Sequence, residues 1–250
     1  MMFKNNGISM IQLDPQILHI WTTDLSLTST QEDERKKVLS SDEMKRADQL
    51  RFPIHKTRFI AARTALRQIL SLYLDVGPED IRFGYGEHKK PYLLQPILPK
   101  FQFNLAHSAD IAVYAFGLGM LIGIDIEKIE QAYKKDVAKR FFSQAENNTL
   151  AELSNSEQIN TFYRIWAQKE AVLKAIGTGL SISLSSFSVN TGHEVATLLL
   201  ENQSWFIYPL SIHPDYQAAV ASDQKVKSMH IWQLIDQTPH LLKIVHLSEK

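Results

Sequence analysis

The longest apolar run in the chain, from about Ile111 to Ile124, leads straight into two acids, Asp125 and Glu127. A bilayer span needs roughly 20 apolar residues, so the run is too short to cross a membrane, and Gly117, Gly119 and Gly123 break it up. It reads instead as two buried strands around a Gly-Leu-Gly turn, a hairpin from Ile111 to Glu127. In a strand, alternate side chains share a face. Ile124 and Ile126 therefore point into a core, and Asp125 and Glu127 point together the other way.

Around this segment the pattern is mixed helix and strand. Leu18 to Trp21 reads as a short strand. Ser40 or Ser41 caps a helix to about Leu50, with Asp42 and Glu43 in its first turn. Pro53 interrupts. A second helix from about Lys56 to Leu74 puts Phe59, Ala62, Leu66, Ile69 and Tyr73 on one face and stops at Gly77-Pro78. Ile81 to Tyr85 is expected as a strand, Lys89 to Lys100 with its three prolines as a loop, and Phe101 to Leu105 as a strand. Helices are expected over about Lys134 to Phe142, from Ser143 with Glu146 completing a capping box, and from about Ser156 to Ile176, ended by Gly177. Strands return at Phe187 to Asn190, Val195 to Leu200, Trp205 to Tyr208, Gln217 to Ala221 and Met229 to Ile235. The fold class is α+β, each half holding helices and a small antiparallel sheet. Residues 1–118 form the first half, 119–222 the second, and 223–250 a C-terminal extension.

A chain of 250 residues has room for a substantial core. Its 27 basic and 27 acidic residues cancel, which argues against a nucleic-acid coat, because phosphate neutralisation needs a basic surplus. A local basic pocket is still compatible with that balance. The absence of cysteine excludes disulfides, thiolate metal sites and a cysteine nucleophile. It fits a reducing compartment, and the stretch from Met1 to Met10 lacks a signal-peptide pattern, so the expected location is cytoplasmic with no membrane partner.

Two acidic patches carry the chemistry. Asp125 and Glu127 side by side repel one another unless a cation sits between them. Oxygen ligands with room for water suit Mg²⁺, which shares its octahedral ligation with substrate phosphates. Alone, the same pair also reads as a strand end reaching solvent. In Trp166-Ala167-Gln168-Lys169-Glu170-Ala171-Val172-Leu173-Lys174, the residues Trp166, Glu170 and Lys174 are spaced by four and share a helix face. Glu170 and Lys174 alone also read as a surface ion pair, worth a few tenths of a kcal/mol.

Taken together, Phe103-Asn104-Leu105-Ala106-His107-Ser108, then Gly123 to Glu127, then Trp166 to Lys174 with Gly177-Thr178-Gly179-Leu180, resemble in order and spacing the Sfp-type phosphopantetheinyl transferases. The resemblance extends from about Leu39 through Ser222 and takes in Lys139 to Ser143 and Ser186 to Val189. It implies a pseudo-twofold fold with the active site in the cleft between the halves. It implies transfer of 4′-phosphopantetheine from coenzyme A to a serine of an apo acyl or peptidyl carrier protein, a holo-[acyl-carrier-protein] synthase type of activity that releases 3′,5′-ADP with Mg²⁺. The carriers would belong to fatty acid, polyketide or nonribosomal peptide synthases. By the same resemblance Asp125, Glu127 and Glu170 are the metal ligands, and Glu170 and Lys174 the catalytic pair. Lys174 also binds the pyrophosphate, His107 lies near the 3′-phosphate, and Arg46, Lys90, Asn104 and Ala106 contact the nucleotide. The region from Lys128 to Phe142 borders the carrier-protein site.

Three residues depart from the family pattern. Ala106 replaces a usual serine, Lys89 a usual glycine before Lys90-Pro91, and His55 a common acid. Other readings of the motifs are a different Mg²⁺-dependent phosphate enzyme, or a non-catalytic carrier-binding protein that kept the fold. The short synthase class of trimers has chains about half this length. A chain with motifs split between two halves is expected to be a monomer.

Overall fold

The computed structural model of the protein describes residues 11–86, 90–132, 134–177 and 181–247. Its first sheet contains β1 (Ile17–Asp24), β4 (Phe101–Ser108), β5 (Ile111–Leu118), β10 (Ser228–Ile235) and β11 (Thr238–His246), in the order β11-β10-β1-β5-β4. β4 and β5 form an antiparallel hairpin, and β1 runs antiparallel to β5 and parallel to β10. The second sheet is antiparallel and places β6 (Ile122–Lys128), β9 (Tyr216–Ser222), β8 (Gln203–Leu210) and β7 (Ala196–Leu200) side by side. A separate hairpin pairs β2 (Arg82–Tyr85) with β3 (Pro91–Gln95).

Three apolar clusters join these elements. The two sheets share one of them, in which Ile20, Ala106 and Val113 meet Ile124, Ile126 and Val220. On the outer face of the first sheet, α3 (Pro53–Leu74) packs Leu66, Ile69 and Tyr73 onto Trp21, Phe103 and Tyr114. On the outer face of the second, α6 (Asn155–Ile176) packs Ile165 and Val172 onto Ile207 and Ala219. The layers therefore run helix, sheet, sheet, helix, and the central strands β1, β5 and β9 are buried on both faces. The shorter helices α1 (Ser29–Lys36), α2 (Ser41–Asp48), α4 (Lys135–Phe141) and α5 (Gln144–Glu152) lie around this frame. Capping boxes open α1, α2, α5 and α6 through Thr28, Ser40, Ser143 and Ser154. Gly177 ends α6 in the left-handed region, where a Cβ is disfavoured. Among the described residues no helix is long and apolar enough to cross a membrane.

The α+β class expected from the sequence is the observed one, with local corrections. The run from Ile111 contains two buried strands, but they are not a hairpin: β5 pairs with β1 and β4, whereas β6 pairs with β9 in the other sheet. The Gly-Leu-Gly turn passes the chain between sheets. Pro53 opens α3 as its first residue, a position where its missing N–H costs nothing. The expected loop from Lys89 to Lys100 contains β3; Pro91 is its first residue, where proline is tolerated. Phe187 to Asn190 joins no ladder, and Val189 N–H donates to Glu146 Oε1 instead. Two further elements, α1 and β11, were not expected from the pattern. The segment 223–250 adds β10 and β11 to the first sheet.

Candidate active site

Gly123 sets the spacing on which the site depends. The backbone of α6 lies directly against it, and a Cβ there would overlap the Ala171 carbonyl oxygen and the Ala175 nitrogen. Only glycine lets helix and strand approach this closely. At this spacing Lys174 Nζ on α6 reaches Asp125 Oδ1 on β6 at 2.6 Å. The rotation of α6 is fixed from its far side. Buried Lys169 pairs with Glu146 at 2.9 Å and donates to the carbonyls of Leu184 and Phe187. Trp166 packs on Phe141, Phe142 and Phe162, which makes Phe141-Phe142 core.

The three acids destabilise one another's charged forms. Burial, ahead of the attraction of Lys174, pushes Asp125 up. Burial and the neighbouring Asp125 push Glu127 up to about 7. Glu170 is raised for the same two reasons, with Lys174 opposing. Asp125 is only 5% exposed, and its Oδ2 is buried with no hydrogen-bond partner. A divalent cation would satisfy that oxygen and relieve the repulsion, and an all-carboxylate donor set suits Mg²⁺. The residue types thus fit the ion, although among the described residues no three carboxylates or histidines are already grouped as a metal cluster.

Beside the acids, the ends of α2, α3 and β4 line a depression of about 550 Å³ that includes Arg46, His55, Arg58, Phe59, His107 and Ser108. Its polar wall is basic and therefore fits an anion. Burial, then Lys174, Arg58 and His55, push the His107 imidazole below its usual range. Arg58 Nη2 is held 2.6 Å from Asp110 Oδ1. An incoming phosphate would favour the imidazolium by offsetting those cations.

The structure brings Arg46 and His107 to one depression, and Asp125 and Lys174 into contact. Three other residues expected at the nucleotide have protein neighbours in the free chain. Ala106 is 6% exposed and belongs to the core shared by the two sheets, and it is not among the residues lining the depression. Asn104 is 5% exposed and its Oδ1 accepts from Ile124 N–H at 2.9 Å. Lys90 Nζ donates to the carbonyls of Lys174 and Ile122, at 2.7 and 3.1 Å, capping the C-terminal turn of α6. Burial and the neighbouring Lys174 bring the Lys90 ammonium down to about 8. Lys89 and Thr178-Gly179-Leu180 lie outside the described residues. Sequence reasoning did not single out Arg58, Ser108 or Lys169. For Arg58 the available signal is its place one helical turn after His55.

Residues 121–221 match the family model of the 4′-phosphopantetheinyl transferase superfamily. The chain is 37% identical to the 4′-phosphopantetheinyl transferase HetI of Nostoc sp. over 166 residues, covering 66% of this chain and 70% of HetI. It is 32% identical to the 4′-phosphopantetheinyl transferase Sfp of Bacillus subtilis, covering 76% and 86% of the two chains. A Bacillus pumilus relative, 4′-phosphopantetheinyl transferase psf-1, is also 32% identical, with 78% and 84% covered. The shared segment holds the acids of β6 and α6 and the second sheet, so this chain is a transferase and belongs to the 4′-phosphopantetheinyl transferase superfamily.

Proposed function

We propose that the protein transfers 4′-phosphopantetheine from coenzyme A to a serine hydroxyl of an apo acyl or peptidyl carrier protein and releases 3′,5′-ADP. The observation that carries this reading is the meeting of Asp125, Glu127, Glu170 and Lys174 beside a basic depression lined by Arg46, Arg58 and His107. The depression takes the phosphorylated ribose, with His107 and Arg46 toward the 3′-phosphate. The diphosphate then lies over α6 and β6, where Lys174 leaves Asp125 for a phosphate oxygen.

The serine oxygen attacks the phosphorus that carries pantetheine, and the bond from that phosphorus to the bridging oxygen breaks. The bridging oxygen leaves on 3′,5′-ADP with the electron pair, and Glu170 accepts the serine proton. A carboxylate held within reach of the serine hydroxyl can take that proton in the transition state. Charge develops on the phosphoryl and leaving oxygens, and the Lys174 ammonium is positioned to neutralise it. Asp125, Glu127 and Glu170 would hold Mg²⁺, which when bound adds charge neutralisation at the diphosphate. Asn104 and Lys90 act from behind the wall, through β6 and the end of α6.

The test is incubation with coenzyme A, Mg²⁺ and a panel of apo carrier proteins, followed by intact mass. A carrier that gains one phosphopantetheine supports the reading. Phosphate release without a mass gain makes the protein a hydrolase instead.

A further inference from the structure

β4 and β6 belong to different sheets, yet they pack side by side. No main-chain ladder joins them in either sheet, so the even-numbered N–H groups of β6 that face β4 need other acceptors. Two of these are supplied by side chains. Asn104 Oδ1 accepts from Ile124 N–H at 2.9 Å, and Ser108 Oγ accepts from Lys128 N–H at 3.0 Å. Donors and acceptors are each four residues apart, so the two bonds run in register along both strands. They bracket Asp125 and Glu127. Ser108 also donates to Glu127 Oε2 at 3.3 Å, which makes it a two-way contact. Between them Ala106 has no polar side-chain group.

We propose that Asn104 and Ser108 are positioning residues that clamp the free edge of β6 to β4 and thereby fix the acid pair relative to His107. This rests on the function proposed above but assigns Asn104 a different role from a nucleotide contact. Asp125 and Glu127 sit on an edge strand, and β9 holds that strand from one side only. A strand held on one side can twist and slide, and displacement of about 1 Å at reacting groups can cost on the order of 10²-fold in rate. The clamp supplies the second side without closing a ladder over the depression.

The experiment uses the full chain with Asn104→Leu, Ser108→Ala and Ser108→Thr, followed by amide hydrogen exchange and steady-state kinetics. Exchange at Ile124 is expected to accelerate in Asn104→Leu and at Lys128 in Ser108→Ala, with the amides of β9 unchanged as reference. In both variants kcat is expected to fall about tenfold to a hundredfold, while KM for coenzyme A moves little. Ser108→Thr keeps a hydroxyl and is expected to restore both readouts. Should Asn104→Leu fail to fold, Ser108→Ala at the half-buried position carries the test. Unchanged exchange overturns the clamp. Accelerated exchange with unchanged kcat overturns its role in positioning, and a rise in KM for coenzyme A at constant kcat makes these residues direct nucleotide contacts. A wild-type chain that modifies no carrier overturns the proposed function, and exchange then still decides whether the two side chains hold β6.

Discussion

Lys174 stands between two anions. In the free protein its ammonium is 2.6 Å from Asp125, and the proposed diphosphate competes for it. Glu170, one turn earlier on α6, has its pKa raised by burial and by Asp125. Glu170→Gln keeps the shape and removes the base, so transfer is expected to fall on the order of 10²-fold or more with melting unchanged; near-normal turnover by intact mass would contradict the assignment. His107 has a different place, in the basic depression with Arg46 and Arg58. A contact with the remote 3′-phosphate is equal in ground and transition states, so His107→Ala is expected to raise KM for coenzyme A and spare kcat. Dephospho-coenzyme A lacks that phosphate and is the check, because an equal loss with both substrates would give His107 another role. At this scale the spacing shows that Asp125 and Glu127 share a strand face and that Glu170 and Lys174 share a helix face, while the expectation that the two pairs meet comes from the family resemblance. Asn104 and Lys90 are not legible in sequence, because a polar side chain does not reveal whether it faces solvent or a backbone group of a distant element. Their partners, Ile124 N–H and the Lys174 carbonyl, lie 20 and 84 residues away.

Between elements, the contact of α6 with β6 at Gly123 is the narrowest in the site. Gly123→Ala forces the two apart and is expected to lower stability by several kcal/mol, as overpacked cores do, and to loosen Asp125 from Lys174. Denaturant melts of the purified variant would settle it, and unchanged stability would mean that the helix shifts at little cost. A second inter-element feature is pH-dependent. Trp21 Nε1 donates to the Tyr73 hydroxyl at 2.7 Å, and His19 Nδ1 lies 2.9 Å from the same hydroxyl. Burial, then His230 stacked 5.0 Å away, lowers His19 from 6.5 to about 4. The unfolded chain therefore binds the proton first as pH falls. Stability is intact above 6.5, declines between 6.5 and about 4, and the loss is on the order of 3 kcal/mol. In His19→Gln that slope should flatten in melts across the same window, and an unchanged slope would assign it to other groups. Capping boxes and the α3 stripe make most helices readable from sequence. α1 is not readable, because it buries no residue and shows no apolar period. β11 is missed because its exposed Leu241, Leu242 and Ile244 do not alternate with polar residues.

The whole molecule is two sheets sharing one core, with a long helix outside each. The first sheet is assembled from both ends of the chain, since β10 lies between β1 and β11. Which strands share a sheet is not written in local patterns, so the apolar run from Ile111 reads as one hairpin although its strands belong to different sheets. Cleavage between Gly117 and Met120 would strip β10 and β11 from the first sheet and open the shared core. The fragments are therefore expected to be poorly soluble, and the intact chain, whose proposed site is complete within one copy, a monomer binding one coenzyme A. Light scattering with a coenzyme A titration checks this, and a dimer binding one nucleotide per two chains would contradict it. The central claim is that these residues form a transferase site, and intact-mass analysis of apo carrier proteins with coenzyme A and Mg²⁺ tests it most directly. The wild-type chain is expected to add one phosphopantetheine to a carrier serine and Glu170→Gln almost none; no mass gain on any carrier, or an equal gain with both proteins, would contradict the transferase site.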